Sequence, residues 1–66
     1  MPVINIDGPQ LTKEQKAQLT EAIVKQSSEI MNIPEEAFVT IIRENEMDNI
    51  GNGKQLLSEK MNKNNG

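Results

Sequence analysis

Two short β-branched runs are separated by one long amphipathic stretch, and that order leaves few topologies open. Val3, Ile4 and Ile6, with Asn5 and Asp7, alternate as a strand does and stop at Gly8-Pro9. Thr12 then offers a hydroxyl to the first helical turn, and Gln15 three residues on completes a capping-box pattern. From Lys13 to about Met31, the residues Leu19, Ile23, Ile30 and Met31, with Ala22 and Val24 beside them, recur at helical spacing. Lys13, Glu14, Lys16, Gln18, Glu21 and Lys25 fall mostly on the other face. Asn32 and Pro34 stop the helix, because proline cannot continue the hydrogen-bond ladder and biases its predecessor away from helical dihedrals. Glu35-Glu36 read as a turn, and Phe38 to Arg43 read as a second strand. A helix between two strands is a connection long enough for a parallel, right-handed β-α-β crossover, so the expected class is α/β. Beyond it, Glu44 to Asn49 is polar, Gly51-Asn52-Gly53 is a turn and Leu56-Leu57 is a short apolar element, together a C-terminal turn or hairpin. Residues 1–60 form the expected single domain, and Met61 to Gly66 reads as a frayed tail.

Such a unit is too small to complete itself. A domain of 66 residues buries only about 60% of its unfolded surface, and small domains are usually reinforced by disulfides, a metal or oligomerisation. The chain has neither Cys nor His, so disulfides and thiolate metal sites are excluded, together with Ser-His and Cys-His nucleophile arrangements. In the second strand Phe38, Thr40 and Ile42 face one way, and Val39, Ile41 and Arg43 the other. Both sets are largely apolar, and parallel sheets are normally covered on both faces. Assembly with copies of itself is the expected remedy.

Net charge is −3 and Phe38 is the single aromatic residue, so there is neither a basic stripe nor a stacking platform for nucleic acid. No apolar stretch approaches the ~20 residues needed to span a bilayer. With no signal peptide ahead of the first strand, a cytoplasmic location is expected.

Chemistry is suggested by Pro2. Removal of Met1 would leave a secondary amine at the head of a strand. An α-amino group titrates near ~7.7–8.0 when unperturbed, and an apolar pocket disfavours its charged form. Such an amine can be a general base at neutral pH. Retained Met1 would instead make that nitrogen a non-basic amide. Proline is also a tolerated strand opener, so the dipeptide alone does not specify catalysis.

The order Met-Pro plus strand (Pro2 to Ile6), helix start Thr12-Lys13-Glu14-Gln15-Lys16, segment Phe38 to Glu44 and turn Asn49-Ile50-Gly51-Asn52-Gly53 resembles the 4-oxalocrotonate tautomerase family. The short Gly8-Pro9 loop is similar to its archaeal and bacterial subgroup. The resemblance implies an isomerase in which Pro2 takes the hydroxyl proton of a 2-hydroxydienoate and returns a proton to carbon, giving a 2-oxoenoate, as in aromatic degradation. It implies no metal or organic cofactor. It also implies a homohexamer, a trimer of dimers, whose pockets are lined by more than one subunit.

Two family arginines, one before the helix and one in the second strand, are replaced here by Leu11 and Val39, and the pocket aromatic in the turn by Ile50. A buried carboxylate without a cation is strongly disfavoured. Arg43, which shares strand parity with Val39, and Lys54, after the Gly53 turn, are the candidate replacements; Arg43 could equally pair with Glu44 or another surface acid. Leu11, Val39 and Ile50 would make a drier pocket, suited to a substrate narrower or less charged than a dicarboxylate. Two other readings stay open: a non-catalytic oligomeric protein on this fold, or Pro2-dependent water addition or iminium chemistry.

Overall fold

The computed structural model describes residues 1–60. The tail expected at Met61 to Gly66 lies outside them. Strand β1 (Val3–Gly8) and strand β2 (Val39–Glu44) pair in parallel, with helix α1 (Lys13–Met31) as the crossover. The register sets Val3 beside Val39, Asn5 beside Ile41 and Asp7 beside Arg43. The expected α/β class and parallel pairing are observed. β1 starts at Val3 as the alternation indicated and runs one residue further, to Gly8, whereas β2 runs one residue later than indicated, from Val39 to Glu44.

The start of α1 is fixed by the reciprocal pair read from sequence. Gln15 N–H donates to Thr12 Oγ1 at 3.1 Å, and Thr12 N–H donates to Gln15 Oε1 at 2.9 Å. At the other end Asn32 takes the left-handed conformation, φ 59°, and donates its N–H to Ser28 O. Asparagine tolerates that conformation better than most non-glycine residues. Two 3₁₀ turns follow, Glu35–Ala37 before β2 and Met47–Asn49 after it. The chain then forms a small antiparallel hairpin, β3 (Gly51–Asn52) and β4 (Gln55–Leu56), with Gly53 at φ +65° in its turn.

Lys16, Leu19, Thr20, Ile23, Val24, Ser27 and Ser28 form the half-buried stripe of α1. They cover the sheet face carrying Ile4, Ile6, Thr40 and Ile42. Lys16 was expected on the outer face. It lies inside the stripe instead because Glu44, at the end of β2, draws its ammonium to 2.9 Å. Ile30 shares the heptad position of Ile23 yet is 81% exposed. The reason is length: a 19-residue helix spans roughly 28 Å, whereas six-residue strands span about 20 Å. The last helical turn therefore overhangs the sheet.

The second sheet face has no cover. Val3, Val39 and Ile41 there are 48%, 39% and 43% exposed, and no described side chain is fully buried. The chain leaves 5344 Å² accessible, against about 4200 Å² for a compact monomer of this mass. A single copy carries the layers of a fold without a core.

Candidate active site

Pro2 stands at the start of β1, half-buried, with its carbonyl accepting the Val39 N–H at 3.0 Å. That bond fixes the proline against the first residue of β2, because the parallel register pairs Val3 with Val39. The nearest ring, Phe38, is half-buried on the helix side, while Val3, Val39 and Ile41 lie exposed on the open face. Residues 26–42, which form the end of α1, the first 3₁₀ turn and most of β2, contain Glu29, Glu35 and Glu36 but neither Lys nor Arg. The Pro2 end of the subunit is thus apolar with an acidic margin.

The other sequence-derived candidates divide between places. Val39 is beside Pro2. Arg43 is on the same open face but four residues further along β2, about 13 Å at strand rise. It faces Asp7: Nε donates to Oδ1 at 2.9 Å and Nη2 to Oδ2 at 3.4 Å, a two-pronged contact suited to a planar guanidinium. Nη1 also reaches Asn5 Oδ1 at 3.5 Å, and Asn45 donates to Asp7 Oδ1 at 3.4 Å. The Arg43 hydrogen bond, then the Asn45 one, holds the Asp7 carboxyl below the usual aspartate value. The pairing with a surface acid expected as one outcome for Arg43 is realised with Asp7, since Glu44 turns to the helix.

Leu11 sits at the far end of the sheet from Pro2. Its N–H donates to Glu44 Oε2 at 2.9 Å, and Lys16 Nζ approaches Glu44 Oε1 at 2.9 Å. The backbone bond from Leu11, followed by the Lys16 contact, keeps the Glu44 carboxyl below its ordinary range. Ile50, half-buried, follows the second 3₁₀ turn, with its carbonyl accepting Leu57 N–H at 2.7 Å. Lys54 is exposed at the hairpin turn. One chain therefore brings together Pro2 and Val39, and leaves Leu11, Arg43, Ile50 and Lys54 at the opposite end or on the hairpin. Among the described residues no three carboxylates converge as a metal site would need.

Sequence reasoning did not single out Asp7, and it named Glu44 only as a partner for Arg43, whereas Glu44 pairs with Lys16 and Leu11 N–H. Their roles depend on the register of β2 against β1 and on the angle of α1, and a pattern of residue types specifies neither.

The family profile for tautomerase enzymes matches residues 2–60, nearly the whole chain and starting at Pro2. The chain belongs to the tautomerase family. Solved structures agree with this membership. DmpI from Helicobacter pylori superposes with a TM-score of 0.79 at 31% identity, covering 88% of this chain and 98% of that one. DmpI from Archaeoglobus fulgidus gives a TM-score of 0.79 at 28% identity, covering 86% and 98%. TomN, a 4-oxalocrotonate tautomerase homologue in the tomaymycin biosynthetic pathway, shares the fold of this tautomerase-family chain with a TM-score of 0.85 at 22% identity, covering 92% and 95%. No curated protein matches at a significant level.

Proposed function

We propose that this chain is a cofactor-free tautomerase of 2-hydroxydienoates in which Pro2, freed by removal of Met1, is the base. The step breaks the enol O–H bond, with the proton passing to the Pro2 nitrogen. Electrons shift through the diene, and the resulting ammonium delivers a proton to carbon. A C–H bond and a ketone replace the enol, with no net oxidation. The observation that carries this reading is the placement of Pro2. It is half-buried, anchored by Val39 N–H, and stands at the end of the sheet whose open face carries the exposed Val3, Val39 and Ile41.

The surroundings support a substrate with less negative charge than a dicarboxylate. Residues 26–42 supply three carboxylates and no cation, and the charge of Arg43 is already offset by Asp7. Arg43 serves a pocket at Pro2 only from another subunit, because its own Pro2 is four strand residues away. Assembly into a homo-oligomer, in the trimer-of-dimers form the family resemblance implies, fits a chain without a core and covers the open face.

The test uses protein whose intact mass proves Met1 loss, beside Pro2→Ala. Ketonisation of 2-hydroxymuconate and of its monocarboxylate counterpart, 2-hydroxypenta-2,4-dienoate, is followed by ultraviolet absorbance. Pro2-dependent turnover favouring the monocarboxylate is expected. Equal turnover by an intact Pro2→Ala assembly rules out Pro2 as the base.

A further inference from the structure

Away from the Pro2 site, the hairpin joins a reactive dipeptide to a positive charge. Asn52 ends β3, and Gly53 follows it into the turn at φ +65°. Pairing of Gly51 with Leu56 and of Asn52 with Gln55 leaves Gly53 and Lys54 as a two-residue loop. Glycine with a positive φ at the first position is a usual way to close such a loop. The same residue leaves its own amide uncrowded. A Cβ on Gly53 would meet nothing within 4 Å, and Asn52 and Gly53 are both exposed. The Gly53 N–H has no hydrogen-bond partner among the described residues. Asn5, Asn32, Asn45 and Asn49 instead precede Ile6, Ile33, Glu46 and Ile50, whose side chains hinder approach to the following amide.

Lys60 supplies the second feature. Its ammonium donates to Asn52 Oδ1 at 3.0 Å from eight residues along the chain. That oxygen takes up negative charge when a nucleophile adds to the side-chain carbonyl carbon. An ammonium already bonded to it stabilises that charge as the donors of an oxyanion hole do. The nucleophile is the next nitrogen in the chain, so the attack is intramolecular and closes a succinimide ring.

We propose that Asn52–Gly53 is a site of spontaneous deamidation assisted by Lys60. Hydroxide takes the Gly53 amide proton, and the nitrogen forms a bond to Asn52 Cγ while the carbonyl electron pair moves onto Oδ1 beside Lys60. The pair then returns, the Cγ–Nδ2 bond breaks, and the nitrogen leaves as ammonia after taking a proton from water. Water opens the succinimide at one of its two carbonyls, giving aspartate or isoaspartate at position 52. Nothing is oxidised or reduced. Either product adds a negative charge to a chain whose net charge is −3. Aspartate turns the Lys60 hydrogen bond into a charge-assisted pair. Isoaspartate lengthens the main chain by a methylene, which the Asn52–Gln55 pair cannot absorb without losing the register of the hairpin. The inference stands whatever the chemistry at Pro2 proves to be.

The test incubates the full chain in heavy-oxygen water from neutral to mildly alkaline pH and localises the label by peptide mapping and mass spectrometry. Mapping to the residue is needed because Asn65 also precedes a glycine. Label should enter position 52 faster as pH rises, and Asn5, Asn32, Asn45 and Asn49 should stay unlabelled. Lys60→Gln should slow labelling at position 52 by about threefold or more, an exposed donor counting for less than the roughly 10²–10³-fold of a buried one. Lys60→Arg keeps a charged donor and should retain most of the rate. A position 52 that stays unlabelled in the native protein overturns the proposal. So does a folded Lys60→Gln variant that labels there as fast as the native chain.

Discussion

Pro2 matters through one atom, a nitrogen that is an amide while Met1 remains and an amine once it is gone. Replacing it with alanine leaves a primary amine of different basicity and shape at the same place. Pro2→Ala is therefore expected to lower kcat/KM by about 10²–10⁴-fold, the usual contribution of a positioned general base, with the sedimentation profile unchanged. Glu44 makes a different, structural prediction. Its carboxyl is held below the ordinary value of 4.5 by the Leu11 N–H and then by Lys16. A depressed carboxyl contributes stability that is present above its unfolded value and lost as pH falls through its folded one. Thermal melts should thus weaken as pH drops below 4.5, and Glu44→Gln should flatten that part of the profile while lowering stability at neutral pH. An unchanged acid limb in Glu44→Gln would show that the contact is not thermodynamically coupled to folding.

At the scale of elements, α1 is held by its two ends and by one face. The Thr12–Gln15 box satisfies two backbone donors that would otherwise be orphans, so Thr12→Ala should cost about 1 kcal/mol in urea unfolding, and Thr12→Ser much less. The box was readable because its partners are three residues apart and the geometry is local. The overhang of Ile30 and Met31 was not. Their spacing is that of core residues, and exposure follows from strands shorter than the helix they support. Lys16 shows the same limit, since its place in the inner stripe depends on Glu44, 28 positions away in the chain. Pro2 beside Val39 needed the register of two strands that share no local signal.

For the whole molecule, the decisive property is the absence of a buried side chain among the described residues, combined with exposed Val3, Val39 and Ile41 on the open sheet face. A chain in this condition is expected to draw its stability from association, which would make stability depend on concentration. The melting temperature should fall on dilution through the range where sedimentation shows dissociation. Ile41→Asp places a charge on the face that assembly would cover, and it should abolish both the large species and cooperative melting. A compact, concentration-independent Ile41→Asp monomer would contradict this view of the fold.

The amino-acid order by itself determined the element types, the parallel crossover, the helix cap and the chemical promise of Pro2, because each depends on neighbours a few residues apart or on the plain absence of Cys and His. Two-faced hydrophobicity in Phe38 to Arg43 already pointed to an uncovered second sheet face, and Val39 and Ile41 are exposed there in the single chain. Tertiary structure alone decided which acid meets Arg43, why Lys16 turns inward, and that Pro2 and Arg43 of one chain stand at opposite ends of the sheet. Those outcomes follow from strand register, helix angle and element length, which arise when distant segments pack and which no local spacing encodes.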